Sequence, residues 1–142
     1  MFLDPNGLEV LPPARCRELI ETHQVGRLGF VDGEDVTVLP VSYAVVDDHI
    51  VIRTADGSKM AAASVQRSVA LEVDDIDERR RTGWSVIARG HLHVVEDEEE
   101  ATRLEATGLR SWGQTGNHFV RRPLEDLSGR AMRSGPRSAQ RG

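Results

Sequence analysis

The sequence predicts a mainly β chain with short helices, folded as a small antiparallel barrel. Short runs rich in valine and isoleucine, Asp/Gly turn signals between them, and the lack of any regular alternation of equal strand and helix units predict it. Aromatic residues make up only 4% of the 142 positions, so packing falls to Val, Leu, Ile and Ala.

Pro12-Pro13 ahead of Ala14 to Glu21 predicts a first helix, with proline in its first turn and Leu19 and Ile20 facing inward. Val25 to Val31 and Val36 to Val46 predict a hairpin across Asp32-Gly33-Glu34-Asp35, where glycine can take positive φ. A second turn at Asp47-Asp48 leads to a third strand, His49 to Thr54. A helix from about Ser58 to Gln66 interrupts the sheet, and Val69 to Val73 resumes it. The charged run Asp74 to Gly83 predicts a solvated loop. Trp84 to Val95 is the longest predicted strand, with Gly90 marking a bulge or bend of the kind that closes barrels. Asp97 opens a helix through about Leu109, with an acidic first turn and capping-box spacing to Glu100. His118 to Arg122 is the last predicted strand, before an irregular end. These elements form one domain over residues 1–133, with residues 134–142 expected to be a disordered basic tail.

Lys and Arg total 18 against 23 Asp and Glu, and a net charge of −5 argues against a general nucleic-acid binder. Residues 121–142 carry six arginines against Glu125 and Asp126, net +4, which leaves −9 on residues 1–120. A solvated tail explains the basic end better than an acidic partner does. Cys16 is the single cysteine, which excludes an internal disulfide and any multi-cysteine cluster; within a helix it reads as a packing residue. No apolar run approaches the ~20 residues that span a bilayer. The N-terminus shows no basic segment followed by an apolar one, so the expected location is cytoplasmic, without a membrane partner.

The chemistry concentrates in Arg53-Thr54-Ala55-Asp56-Gly57-Ser58-Lys59, which lies between a strand and a helix. A guanidinium, two hydroxyls, an ammonium and the free amides of a helix start converge there, a donor set suited to a phosphate monoester on a cofactor. The segment lacks the glycines and Gly-Lys-Ser/Thr order of a nucleotide-triphosphate loop. On its own, such a pair of cations near a turn is most often surface charge. His91 and His93 have chelating spacing without a third ligand and read as solvent-facing strand positions. His23, His49 and His118 are scattered; each is an axial ligand only if the fold takes haem. Asp74, Asp75 and Asp77 lack the glycine and terminal glutamate of a calcium loop.

Six motifs raise the weight of the phosphate segment: Gly26-Arg27-Leu28-Gly29, Leu39 to Tyr43, Arg53-Thr54 with Gly57-Ser58-Lys59, Leu71 to Asp74, Gly83 to Val86, and Gly90. In order and spacing they resemble the pyridoxamine 5′-phosphate oxidase-like flavin-binding split-barrel family, over roughly residues 12 to 130. The resemblance implies an antiparallel split β-barrel, usually a homodimer, with flavin mononucleotide (FMN) bound in two equivalent sites at the subunit interface. It implies that Arg53, Thr54, Ser58 and Lys59 hold the ribityl phosphate. Pro40, Val41 and Ser42 would lie along the isoalloxazine ring, mainly through backbone groups, while Trp84 and Ser85 would approach from the partner subunit. As plain sequence, Trp84 is equally a core or interface anchor, and Trp112 is better read as packing than as a pocket cover.

The segment Leu124 to Arg130 does not match the substrate-binding end of true pyridoxamine phosphate oxidases. Gly129-Arg130 instead resembles the closing motif of a smaller branch of the family. The expectation is therefore an FMN-dependent oxidoreductase acting on a small-molecule substrate. The alternatives are a deazaflavin-dependent reductase, for which only Arg53, Lys59 and one of Arg27 or Arg89 are at hand as basic groove residues, and a non-catalytic flavin or haem carrier.

Overall fold

A computed structural model describes residues 1–54, 67–111 and 118–133. The predicted helix from Ser58, the residues Ser58, Lys59 and Trp112, and the tail 134–142 lie outside the described residues. The elements are β1 (Phe2–Leu3), β2 (Glu9–Leu11), α1 (Pro13–Ile20), β3 (Val25–Asp32), β4 (Asp35–Val46), β5 (His49–Thr54), β6 (Val69–Asp77) and β7 (Thr82–Gly90). They continue with β8 (His93–Val94), α2 (Glu98–Glu105), β9 (His118–Pro123) and β10 (Leu127–Met132).

The strand order is β1-β2-β10-β7-β6-β3-β4-β5-β9-β8, and every pairing is antiparallel. This is the split barrel that the sequence predicts, and the split runs through β4. Its first part pairs with β3, from Asp35↔Asp32 to Ser42↔Val25, and its last residues pair with β5, from Tyr43↔Ile52 to Val46↔His49. One strand therefore belongs to two half-sheets. Both hairpin turns use positive φ: Gly33 at +66° in the first, Asp47 at +50° and Asp48 at +60° in the second.

Alternation assigns the two faces. Leu28, Val41, Tyr43, Ile50, Ile52, Leu71, Val73 and Val86 fill the barrel, and α1 closes one side with Cys16, Leu19 and Ile20. The Tyr43 hydroxyl donates to the Ile20 carbonyl, which ties the helix end to the barrel wall. A second, smaller core lies on the outer side of β5 and β9, where Val51 and Phe119 meet Val95, Leu104 and Leu109 beneath α2. The start of α2 is capped as its sequence predicts, by Glu100 N–H donating to the Asp97 carboxylate at 3.1 Å.

Four expectations change. β6 runs on through Asp74, Asp75 and Asp77 instead of ending at Val73, because Asp77 still pairs with Thr82 and a short turn suffices to reverse the chain. The long strand predicted from Trp84 to Val95 ends at Gly90, where φ is +144°. A Cβ there would lie 2.0 Å from Nη1 of Arg122, so the bend also makes room for a guanidinium crossing the backbone. α2 ends at Glu105, short of Leu109. The end expected to be irregular contains β10, which joins β7 to β2, and β1 and β2 add an N-terminal edge.

Candidate functional site

A cavity of about 440 Å³ opens where three segments meet. The α1–β3 connection contributes Glu21, His23 and Gln24 to its wall, β4 contributes Ser42 to Val45, and the turn after α2 contributes Thr107 to Arg110. That turn is well tied. Thr107 Oγ1 donates to the Leu104 carbonyl at 2.6 Å and accepts from Leu109 N–H at 3.3 Å. Arg53 braces it from β5: Nη1 donates to the Leu109 carbonyl at 3.1 Å and Nη2 pairs with Glu105 at 2.9 Å. The Arg53 guanidinium also lies 5.1 Å from the centroid of the Phe119 ring.

Thr54 follows Arg53 on the same strand, and neighbours on a strand face opposite ways. Arg53 thus packs toward α2, while Thr54 falls on the side of Ile50 and Ile52 and is 2% exposed. Its Oγ1 has no hydrogen-bond partner among the described residues. A buried hydroxyl without a partner is costly, and Thr54 directly precedes the Ala55 to Lys59 stretch of the sequence, which lies outside the described residues.

His23 stands on the cavity wall between two partners, Nδ1 lying 2.7 Å from Thr22 Oγ1 and Nε2 3.3 Å from Asp75 Oδ2. Its ring meets Trp84 edge to face, with centroids 5.1 Å apart and planes at 82°. Trp84 packs against the main core, which makes it a barrel-mouth anchor that reaches the cavity through His23. Ser85 takes the other face of β7, opposite Asp74 on one side and Arg130 on the other. Pro40 is exposed on the same outer face, opposite Arg27, and Val41 points into the core. Of the nine residues predicted for the site, Ser42 lines the cavity, Arg53 braces its wall and Trp84 touches its histidine. Thr54 lies behind Arg53, and Ser58 and Lys59 fall outside the described residues.

The sequence reading missed His23 as a wall residue, and it missed the Thr107 to Arg110 turn altogether. Thr107-Gly108 was the available signal, since Gly108 takes φ +78° just past the helix, where a C-terminal glycine commonly sits.

Two ionisable groups near this region are shifted. Burial raises the Tyr43 hydroxyl, so it remains a donor to Ile20 and not a base. Glu72, on the outer face of β6, is raised to about 7, first by burial and then by the hydrogen bond and charge of Asp74, while Arg27 pulls the other way. Cys16 is wholly buried away from the cavity and its thiol is raised by burial, so it offers no nucleophile. Among the described residues no group of three or more His, Cys, Asp or Glu side chains could hold a metal. The cavity can bind and orient a ligand; among the described residues its walls hold no cysteine and no lysine.

The sequence pattern of the family described as pyridoxamine 5′-phosphate oxidase matches residues 12–131. The chain belongs to the pyridoxamine 5′-phosphate oxidase-like family. It is 36% identical over 92 residues to the uncharacterized protein Rv0080 of Mycobacterium tuberculosis, a match that covers 61% of this chain and 60% of that relative's length. Among solved structures, the FAD binding protein of Mycobacterium smegmatis superposes with a TM-score of 0.66 at 28% identity, over 89% of this chain and 99% of that one. A candidate pyridoxamine 5′-phosphate oxidase of Corynebacterium glutamicum reaches a TM-score of 0.74 at 23% identity, over 95% and 98% of the two chains, a likeness of fold alone. No helix among the described residues is long and apolar enough to cross a membrane.

Proposed function

We propose that this chain is a flavin-dependent oxidoreductase, working in the cytoplasm as a homodimer with FMN as its cofactor and a small molecule as its substrate. The observation that carries the reading is the coincidence of the family's motifs with the 440 Å³ cavity that Ser42 lines and Arg53 braces. The volume falls within the ~300–1,000 Å³ of small-ligand sites. The residues present also fit a phosphorylated flavin: Thr54 Oγ1 lacks a partner among the described residues, and Ser58 and Lys59 follow it closely in the chain. When bound, the flavin supplies hydride and electron transfer, so the protein needs no nucleophile of its own.

The chain's part is binding and orientation. Ser42 and the β4 backbone form one wall, His23 is held in place by Thr22 and Asp75, and the turn after α2 forms the facing wall. Glu72 and Asp74 share the outer face with Ser85, the face that a second copy covers in the proposed dimer. FAD is the second reading, favoured by the flavin named for the Mycobacterium smegmatis relative. Haem is less favoured at His23, since both ring nitrogens already have partners.

The test begins with the visible spectrum of the purified protein, followed by titration with FMN, FAD and a deazaflavin coenzyme in competition. Saturable binding with FMN preferred is the expected result, and a chain that takes up no flavin overturns the proposal. Reduction of the bound flavin by a nicotinamide donor and its reoxidation by an acceptor separate an oxidoreductase from a carrier.

A further inference from the structure

The wall of the cavity carries an arginine that no other described residue pairs with. Most nearby cations already have partners: Arg17 binds Asp48 and the Leu124 carbonyl, Arg121 pairs with Glu100, and Arg53 holds Glu105 and Leu109. Arg110 is different. It lines the cavity, is exposed, and has no hydrogen bond or ion pair among the described residues. It also directly follows the carbonyl that Arg53 grips, at the end of a turn fixed by Thr107 on one side and Arg53 on the other. Free surface arginines commonly stand on mobile segments; this one stands on a braced one.

We propose that Arg110 is the anion anchor of the cavity, binding a phosphate or carboxylate carried by the ligand, and that Arg53 is a positioning residue that holds the Arg110 turn. A guanidinium offers a planar fork of donors that matches either oxyanion bidentately. Bracing the turn lowers the freedom that Arg110 must lose on binding. Glu21, the acidic residue of the wall among the described residues, also borders a second hollow formed with Val45, Asp47 and Asp48, toward the far end of β4. Arg53, which follows Ile52, the partner of Tyr43, carries its bound turn instead toward the Ser42 end of β4. Glu21 and the braced Arg110 turn thus border the cavity from different segments, and an anion is accepted at the turn. Phosphate on the flavin and an anionic group on the substrate share this chemistry. Only the choice between these two sources rests on the proposed function.

The test uses the full chain without added flavin, titrated calorimetrically with inorganic phosphate. Saturable binding is expected, weakened at least about tenfold by Arg110→Ala and partly retained by Arg110→Lys. Arg53→Ala is expected to weaken phosphate binding as well, yet to change nothing further when Arg110 is already alanine, an outcome that general loss of structure would not give. Arg80→Ala, on the distant β6–β7 turn, should bind as the wild type does. Absence of phosphate binding, or an Arg110→Ala variant that binds as tightly as wild type, overturns the assignment. FMN and riboflavin then identify the source, since they differ by the phosphate. Arg110→Ala weakens FMN alone if the anchor holds the flavin's own phosphate. It leaves both flavins unchanged, and abolishes phosphate binding to the flavin-loaded protein, if the anchor serves the substrate. A chain that binds phosphate through Arg110 but no flavin leaves this role standing and removes the proposed function.

Discussion

Cys16 shows how a single residue sets its surroundings. Its side chain is 0% exposed, Sγ lies 3.8 Å from the Leu11 carbonyl, and burial raises the thiol above its ordinary value. The space above it exists because position 129 is glycine: a Cβ there would lie 2.7 Å from Sγ, 3.1 Å from Leu11 Cδ1 and 3.2 Å from the Ser85 carbonyl. Arg130 then reaches Asp4 at 3.0 Å, so Gly129-Arg130 locks α1, β10 and the N-terminal edge together. Gly129→Ala must push α1 away from β10, and overpacking of this kind costs about 1–3 kcal/mol. In the native wild type, Cys16 is expected to resist a thiol reagent until the chain unfolds, whereas Gly129→Ala should lower the denaturation midpoint and speed the reaction. Rapid labelling of the folded wild type would show that the pocket around Cys16 opens freely.

At the scale of the element, β6 carries its chemistry on its outer face. Glu72 stands opposite Arg27 on β3 and Ile87 on β7, with Asp74 two residues along and opposite Ser85. A carboxyl raised from 4.5 to about 7 is held protonated more firmly in the folded chain than in the unfolded one. Its contribution to stability is complete below about 4.5 and is lost as pH rises through about 7. Glu72→Gln, which keeps the neutral form, is therefore expected to be more stable than wild type at pH 8, by on the order of 1 kcal/mol once solvent screening is allowed for, and equal to it near pH 5. Urea denaturation at the two pH values measures this, and a less stable variant at pH 8 would mean that the pairing with Arg27 dominates. The same strand shows what could be read in advance. β3, β4 and β5 are legible because branched residues alternate with polar ones and Asp/Gly turns divide them. The end of β6 is not, because Asp74, Asp75 and Asp77 read as a loop when only their neighbours on β7 make them a strand. Leu127-Ser128-Gly129-Arg130 likewise lacks the strand-forming residues that would announce β10, and its long-range pairing supplies what local preference does not. In the site, Ser42 and Arg53 are legible through motif order. His23 and Arg110 are not, since the cavity brings together segments more than 80 residues apart.

At the scale of the whole molecule, the described residues leave an apolar row on the outer side of β4 exposed. The inner faces of β3 and β4 fill the barrel, but on the outer side Val36 is 76% exposed and Val38 61%, with Pro40 continuing the row. These residues contribute little to the core of one chain, yet they stand on the same face as Arg27 and lead along β4 to Ser42 at the cavity. A contiguous apolar row beside a binding cavity is suited to burial against another surface, and the proposed homodimer buries it against a second copy. Replacing Val36 and Val38 together with glutamate should leave the melting temperature of the isolated chain close to that of wild type, because no core contact is lost. It should convert a dimer into a monomer in sedimentation. If the cofactor site is shared between copies, flavin affinity falls in the same variant and falls further on dilution. A double variant that remains dimeric would place the interface elsewhere on the barrel, and one that becomes monomeric with undiminished flavin affinity would confine the site to a single chain.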